Sequence, residues 1–124
     1  RAVSVVAQDV FLFTTSLENN IAYAEPLAED EAIEEVSSDA QIHSHITGLK
    51  SGYRTVVGER GSSLSGGQRQ RMAIARSLLP KPSVLVFDDS TINGARAVWR
   101  DLGMREGIER HFWKQEDGRW IEAA

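Results

Sequence analysis

Two short stretches of the chain carry residues whose types and spacing suit phosphate chemistry. In the first, Ser65 precedes Gly66, Gly67 and Gln68 at a predicted helix start. The S-x-x-Q spacing is that of a capping box, in which the serine caps the Gln68 amide and the glutamine side chain reaches back. Glycines leave the first helical amides open to an anion, with the positive end of the helix behind them. Taken alone, this pattern also fits an ordinary capped helix.

The second stretch is a pair of carboxylates, Asp88 and Asp89, that follows the apolar residues 84–87. A run without polar alternation predicts a strand buried on both faces, as in a parallel sheet.

Two long helices and two strands are predicted to position these residues. The first helix runs from residue 28 to 47, with apolar residues at spacings of three and four, and it ends at Gly48. The second begins after the capping serine and continues until Pro80 stops it. Residues 2–6 and 83–87 are predicted strands, and we expect them to belong to a parallel sheet.

Length and composition are those of one small globular domain. The chain has 124 residues, of which 41% are hydrophobic and 26% charged, with a net charge of −4. Such a chain buries roughly two-thirds of its unfolded surface, which is enough for one core. No apolar run approaches the ~20 residues that span a bilayer. The absence of cysteine excludes disulfides and thiolate chemistry. Because the chain starts at Arg1 rather than methionine, we expect a piece of a longer protein.

The acidic residues are unevenly distributed. No lysine or arginine lies between Arg1 and Lys50, where most of the excess acid is found. We interpret this acidic run as the solvated face of a helix. It disfavours nucleic-acid binding, which needs a basic footprint. In residues 92–124 six acidic side chains balance six basic ones, so no nucleic-acid partner is expected there either.

Several segments together resemble one family. Residues 64–71, Leu-Ser-Gly-Gly-Gln-Arg-Gln-Arg, closely resemble the signature motif of ATP-binding-cassette (ABC) proteins, and residues 72–79 continue the match. Residues 84–88 resemble the Walker B strand, and residues 6–9 resemble the Q-loop. Residues 57–61 look like the exporter segment that precedes the signature. These matches lie in the family's order and spacing.

The resemblance implies a fold and a domain division. The fold is α/β and helix-rich: a partial RecA-like parallel sheet that bears the ABC helical subdomain. The partial nucleotide-binding domain covers residues 1–91, with the helical subdomain at about residues 17–79. Residues 92–124 form an unmatched C-terminal extension, in which a weak helix and a hairpin with Asp117-Gly118 at its turn are predicted. We expect this extension to cover the exposed sheet edges, or the chain to self-associate.

The same resemblance implies a role for the helix start. Ser65, the amides of Gly66 and Gly67, and Gln68 would bind the γ-phosphate of an ATP molecule held on a second nucleotide-binding domain. The partner of this chain would thus be another copy of the domain type, in addition to the transmembrane domain of an ABC exporter. The implied location is cytoplasmic, peripheral to the membrane through that transmembrane partner.

Three residues would serve the chain's own nucleotide. By resemblance, Asp88 organises Mg²⁺ and Gln8 reaches the magnesium-associated water. Asp89 stands where the family usually has a glutamate as general base. Aspartate is one methylene shorter, so this Walker B is similar to that of the weaker site in heterodimeric exporters. Loss of a positioned base typically costs ~10²–10⁴ in rate.

Other features separate the subclasses and limit the activity. Only about 56 residues separate Gln8 from Leu64, which favours a transporter over chromosome-structure ATPases with a long coiled coil in this interval. A P-loop needs a lysine after glycine, and no lysine of this chain follows a glycine. The family's D-loop does not follow Thr91, and His111 lacks the neighbours expected of the switch histidine. The chain alone is therefore predicted to be inactive.

Three functional hypotheses remain open on the sequence. The first is a fragment of the ATP-binding domain of an ABC exporter, whose parent couples MgATP binding and hydrolysis to transport. The second is a non-catalytic interaction module that docks on a transmembrane partner or on another nucleotide-binding domain. The third is a remnant without activity. The missing P-loop distinguishes the first hypothesis from the second.

Overall fold

The structure is a computed structural model of the chain, and it describes residues 3–6, 11–58, 63–87, 98, 100, 101, 104, 107 and 112–123. The described residues form strands and helices in the order β1 (Val3–Val6), α1 (Leu17–Ile21), α2 (Asp30–Asp39), α3 (His43–Thr47), α4 (Gly66–Leu78), β2 (Val84–Phe87), β3 (Phe112–Glu116) and β4 (Arg119–Ala123). Short 3₁₀ helices occupy Ala22–Ala24 and Gly52–Arg54. This is the helix-rich α/β fold that the sequence predicts.

Strands β1 and β2 form a two-stranded parallel sheet, as expected. Val3 is the register partner of Val84, and Val6 is the partner of Phe87. Parallel neighbours need a long crossover, and here all four helices lie in the connection between the two strands. The register places the carboxyl ends of both strands, Val6 and Phe87, side by side.

The prediction of one continuous helix over residues 28–47 is wrong. Helix α2 ends at Asp39, and α3 starts only at His43. Between them Gln41 adopts a left-handed backbone with a φ of 61°. The physical reason is burial. Ala40 and Ile42 are both buried, although the side chains of residues i and i+2 in a straight helix point about 200° apart. The break lets both side chains reach the core.

The core is built around helix α4, which packs against α1, α2 and β1. Met72, Ala73, Ile74 and Ala75, four consecutive residues of this helix, are buried. Gly48 ends α3, and the 3₁₀ helix Gly52–Arg54 follows it in the connection to the segment before α4. Among the described residues, no helix combines the length and the apolar character that crossing a bilayer requires.

The C-terminal hairpin forms as predicted. Strands β3 and β4 pair antiparallel, and Asp117 and Gly118 turn between them with φ angles of 48° and 75°. Two positive φ values are the mark of a type I′ turn, whose twist matches that of the flanking strands. The predicted helix before the hairpin falls largely outside the described residues. Val98 is helical, only 1% exposed and part of the core.

The hairpin does not extend the parallel sheet. In the parts of the chain that the structure describes, β3 and β4 pair only with each other. Val3, Val84 and Val86 remain 60%, 50% and 43% exposed. The expectation that the extension covers sheet edges is therefore not met by strand pairing within the described residues. Self-association stays a prediction.

Candidate functional site

The start of helix α4 carries a complete capping box. The Oγ atom of Ser65 accepts a hydrogen bond from the backbone amide of Gln68 at 3.2 Å. The Oε1 atom of Gln68 accepts one from the backbone amide of Ser65 at 2.9 Å. Ser65 is extended, with φ −66° and ψ 163°, as an N-cap residue must be. The local S-x-x-Q pattern was therefore sufficient to predict this geometry.

The box leaves two amides for a ligand. Gly66 and Gly67 are the first two residues of the helix, where backbone amides have no carbonyl one turn earlier to bond. Both glycines are exposed, and the structure records no hydrogen bond from either amide to another described residue. A Cβ atom added at Gly67 would meet nothing within 4 Å. The surface above these amides is therefore open to an incoming group.

The charge around this surface favours an anion. Arg69 lies one turn into the helix, and its Nη1 atom donates to the Leu64 carbonyl at 2.9 Å. Its Nη2 atom is 3.9 Å from the point that a Cβ at Gly66 would occupy. No acidic side chain lies in the first turn of α4. Open amides at the positive end of a helix are the donor set that suits a phosphate group.

A histidine from another helix reaches this site. The Nδ1 atom of His45, on α3, lies 3.3 Å from the Nε2 atom of Gln68. This contact could not be predicted from the sequence, because the two residues are 23 positions apart and share no local pattern. The contact depends on the break at Gln41, which turns α3 away from the line of α2. Predicting the contact from the sequence would first require predicting this break.

A buried asparagine holds the second half of α4, the helix that carries the site, and the sequence did not reveal this contact. Asn20 is completely buried, and its Oδ1 atom accepts from the backbone amide of Phe13 at 2.8 Å. Its Nδ2 atom donates to the carbonyls of Phe13 and Ser16, both at 3.0 Å. Arg76 of helix α4 also binds Asn20. These bonds fix the loop before α1 against the helix that carries the site.

Three further residues are predicted to serve the chain's own nucleotide. Gln8, Asp88 and Asp89 lie outside the described residues. Among the described ones, no group of three or more histidine, aspartate or glutamate side chains is placed to hold a metal ion. The structure contributes the paired strand ends of Val6 and Phe87, from which the segments carrying Gln8 and Asp88 continue.

A shallow hollow on the other side of α2 has the wrong charge for a nucleotide. Glu18, Asp30 and Glu34 line it, together with Ile33 and Tyr53. Three carboxylates repel phosphate groups, and the hollow offers no basic side chain among its described lining residues. The start of α4 is thus the better phosphate site of the described surface.

Comparisons with known proteins agree with this geometry. The family model described as ABC transporter matches residues 1–92. An uncharacterized ABC transporter ATP-binding protein of Bacillus subtilis, YknU, is 47% identical over 89 residues, which are 72% of this chain and 15% of that protein. The ABC transporter ATM1 of Toxoplasma gondii is 48% identical over 91 residues, which are 73% of this chain and 8% of that protein.

A solved structure shares the fold. It is the structure of a bacterial Atm1-family ABC exporter with ATP bound, and it superimposes with a TM-score of 0.70 at 37% identity. The match covers 82% of this chain and 19% of that exporter chain. This chain thus corresponds to a small part of its longer relatives. The matched residues, the shared fold and the capped glycine-rich helix start together show that the chain belongs to the ABC transporter family.

Proposed function

We propose that this chain acts as part of the ATP-binding domain of an ABC exporter and that the start of α4 binds the γ-phosphate of ATP held by a second nucleotide-binding domain. In this proposal Ser65 and Gln68 shape the helix start, and the amides of Gly66 and Gly67 donate to the phosphate. The parent protein couples MgATP binding and hydrolysis to transport across a membrane.

One observation carries the proposal: the capping box satisfies the amides of Ser65 and Gln68 and leaves those of Gly66 and Gly67. A ligand therefore meets two adjacent donors that no side chain of the box occupies. Both glycines are exposed, so a phosphate group held by another molecule or domain can approach these donors. That exposure is compatible with a nucleotide held between two domains.

For the chain's own nucleotide, we propose that Asp88 and Gln8 hold Mg²⁺ and that Asp89 orients the attacking water. The metal, when bound, neutralises charge that develops on the phosphate oxygens. Support comes from the parallel register, which pairs Val6 with Phe87, the described residues nearest in sequence to Gln8 and to Asp88. Asp89 is one methylene shorter than glutamate, and this supports assignment to the weaker of two sites.

The proposed division of the chain follows the same logic. Residues 1–91 form a partial nucleotide-binding domain, with the helical subdomain at about residues 17–79, and residues 92–124 form an extension. The partners are a second nucleotide-binding domain and the transmembrane domain of an exporter. This places the chain in the cytoplasm, held at the membrane through the transmembrane partner.

The proposal is tested by association in the presence of MgATP. The full chain is mixed with a separately produced nucleotide-binding domain that contains a P-loop, and the complex is measured by analytical ultracentrifugation. We expect a complex with MgATP and much less without nucleotide, because ATP supplies the contact. Ser65→Ala should weaken it, whereas Ser63→Ala, which removes a hydroxyl outside the capping box, is the matched control.

Two outcomes would contradict the proposal. Association that is equally strong without nucleotide would favour the non-catalytic interaction module over the ATP sandwich. A Ser65→Ala variant that associates as well as the Ser63→Ala control would remove the capped helix start from the interface.

A further inference from the structure

The Gln68 side chain makes two hydrogen bonds in opposite directions. Its Oε1 atom accepts from the backbone amide of Ser65 at 2.9 Å, within the capping box. Its Nε2 atom lies 3.3 Å from Nδ1 of His45, which is half-buried on α3. The amide group therefore bridges the start of α4 and a second helix. A capping box needs only the first of these bonds, so the second calls for a separate explanation.

The bridge defines the state of the histidine. An amide nitrogen only donates hydrogen bonds, and the Gln68 oxygen is already committed to the Ser65 amide. The Nδ1 atom of His45 must therefore accept. A ring nitrogen that accepts carries no hydrogen, so this hydrogen bond requires the tautomer with hydrogen on Nε2.

Packing holds the histidine at this point. Ile46, the next residue, is completely buried and anchors α3 in the core. The left-handed residue Gln41 ends α2 and lets α3 begin in a new direction. The break that separates α2 from α3 therefore brings the His45 ring close to α4.

We propose that His45 is a positioning residue for the phosphate-binding start of α4. By accepting from Gln68, the histidine restricts the glutamine side chain to the rotamer that caps Ser65. A free glutamine samples several rotamers and caps its helix for part of the time only. With Gln68 held, the two amides left for a ligand are those of Gly66 and Gly67. The ligand in this inference rests on the proposed function, whereas the contact itself does not.

The test uses the full chain and three variants. His45→Phe keeps a ring but removes the acceptor, and His45→Asn places a side-chain oxygen near the position of Nδ1. His43→Phe is the matched control, since it changes a histidine two residues away whose ring contacts Tyr53 rather than Gln68. Water exchange of the Ser65 amide is measured by NMR relative to that of Ile74, a buried residue in the middle of α4.

We expect His45→Phe to speed exchange of the Ser65 amide about 3- to 10-fold, the change that loss of one hydrogen bond produces. His45→Asn should restore most of the protection, and His43→Phe should leave it unchanged after normalisation to Ile74. Unchanged Ser65 exchange in His45→Phe would overturn the inference, as would failure of His45→Asn to restore it.

A second measurement needs no variant, so it remains decisive if a substitution prevents folding. The ¹⁵N spectrum of the imidazole in the unaltered chain should show His45 with hydrogen on Nε2 and an accepting Nδ1. Hydrogen on Nδ1 would overturn the inference.

Failure of the proposed function has a different signature. It would appear as an absence of MgATP-dependent association while the Ser65 exchange pattern of the variants is as expected. In that case His45 holds the helix cap, and the cap does not serve ATP. If both hold, His45→Phe should also weaken the association several-fold and His45→Asn should recover it.

Discussion

Arg76 forms hydrogen bonds with Asn20, which lies 56 positions earlier in the sequence. Its Nε atom donates to the Asn20 carbonyl at 2.9 Å, and its Nη2 atom donates to the Asn20 side-chain oxygen at 3.1 Å. The Nη1 atom reaches the carbonyl of Phe11 at 2.8 Å. The planar fork of the guanidinium thus ties the second half of α4 to α1 and to the loop before it. The first half of the same helix carries the amides of Gly66 and Gly67, so this contact sets their place in the fold.

Replacing Arg76 with lysine should lower the free energy of unfolding by about 1–3 kcal/mol. Lysine keeps the charge but offers no fork, so at least one carbonyl at Asn20 or Phe11 loses its donor. Urea unfolding monitored by circular dichroism measures the change. Arg71→Lys, on the same helix, should change stability by less than about 0.5 kcal/mol as a surface substitution. Equal stability of the two variants would contradict this role of Arg76.

The stability of the chain should fall at alkaline pH through Tyr53. Burial raises the pKa of Tyr53 above its ordinary value of 10.0; the nearby Ser37 side chain opposes the rise, and the charge of Glu34 adds to it. Above pH 10.0 the unfolded chain loses the phenol proton while the folded chain retains it. The contribution of the raised Tyr53 pKa to the free energy of unfolding is therefore fully present below pH 10.0, and it is lost as the pH rises through the pKa of Tyr53 in the folded chain.

Tyr53→Phe tests this pH dependence. The variant lacks the hydroxyl that lies 2.6 Å from Nδ1 of His43, so it should be less stable by about 1 kcal/mol at pH 7. Its stability should decline less steeply above pH 10 than that of the unaltered chain. Tyr23→Phe, at an exposed tyrosine, should leave the slope in place. A slope that is the same for Tyr53→Phe and the unaltered chain would contradict the prediction.

Gln41→Gly should stabilise the chain. A non-glycine residue with a φ of 61° carries strain that glycine does not, although glycine also gains entropy in the unfolded state. The net gain is expected to be about 0.5–1 kcal/mol in thermal or urea unfolding. The same substitution at Gln70, inside α4, should instead destabilise by about 1 kcal/mol. Destabilisation at position 41 would argue that the turn there is not left-handed.

Local signals explain which elements could be predicted. The start of α4, the two parallel strands and the hairpin turn each depend on residues within a few positions of one another. The break in the first predicted helix has no glycine or proline to mark it. Its one signal is that Ala40 and Ile42 are both apolar, which a single helical face cannot bury.

Long-range pairs could not be predicted from spacing. His45 and Gln68, like Asn20 and Arg76, meet only because helices from separate parts of the chain pack together. Each pair consists of polar residues that read singly as ordinary surface positions. Their roles follow from hydrogen-bond geometry, which the sequence does not express.

The isolated chain should not hydrolyse ATP. None of its three lysines, Lys50, Lys81 and Lys114, follows a glycine as the P-loop lysine does, so little holds the β- and γ-phosphates. Phosphate release from MgATP should equal the rate without protein, and titration calorimetry should show no tight binding. Micromolar affinity together with turnover would contradict the account of these 124 residues.

The central claim, that the capped start of α4 binds a terminal phosphate through two backbone amides, is tested most directly by NMR. The ¹⁵N-labelled full chain is mixed with the unlabelled nucleotide-binding domain that contains a P-loop, and the mixture is titrated with MgATP and, separately, with adenosine, which has the same base and sugar but no phosphate. We predict that ATP shifts the amide resonances of Gly66 and Gly67 and that adenosine leaves them in place. No shift with ATP, or equal shifts with both compounds, would contradict the claim.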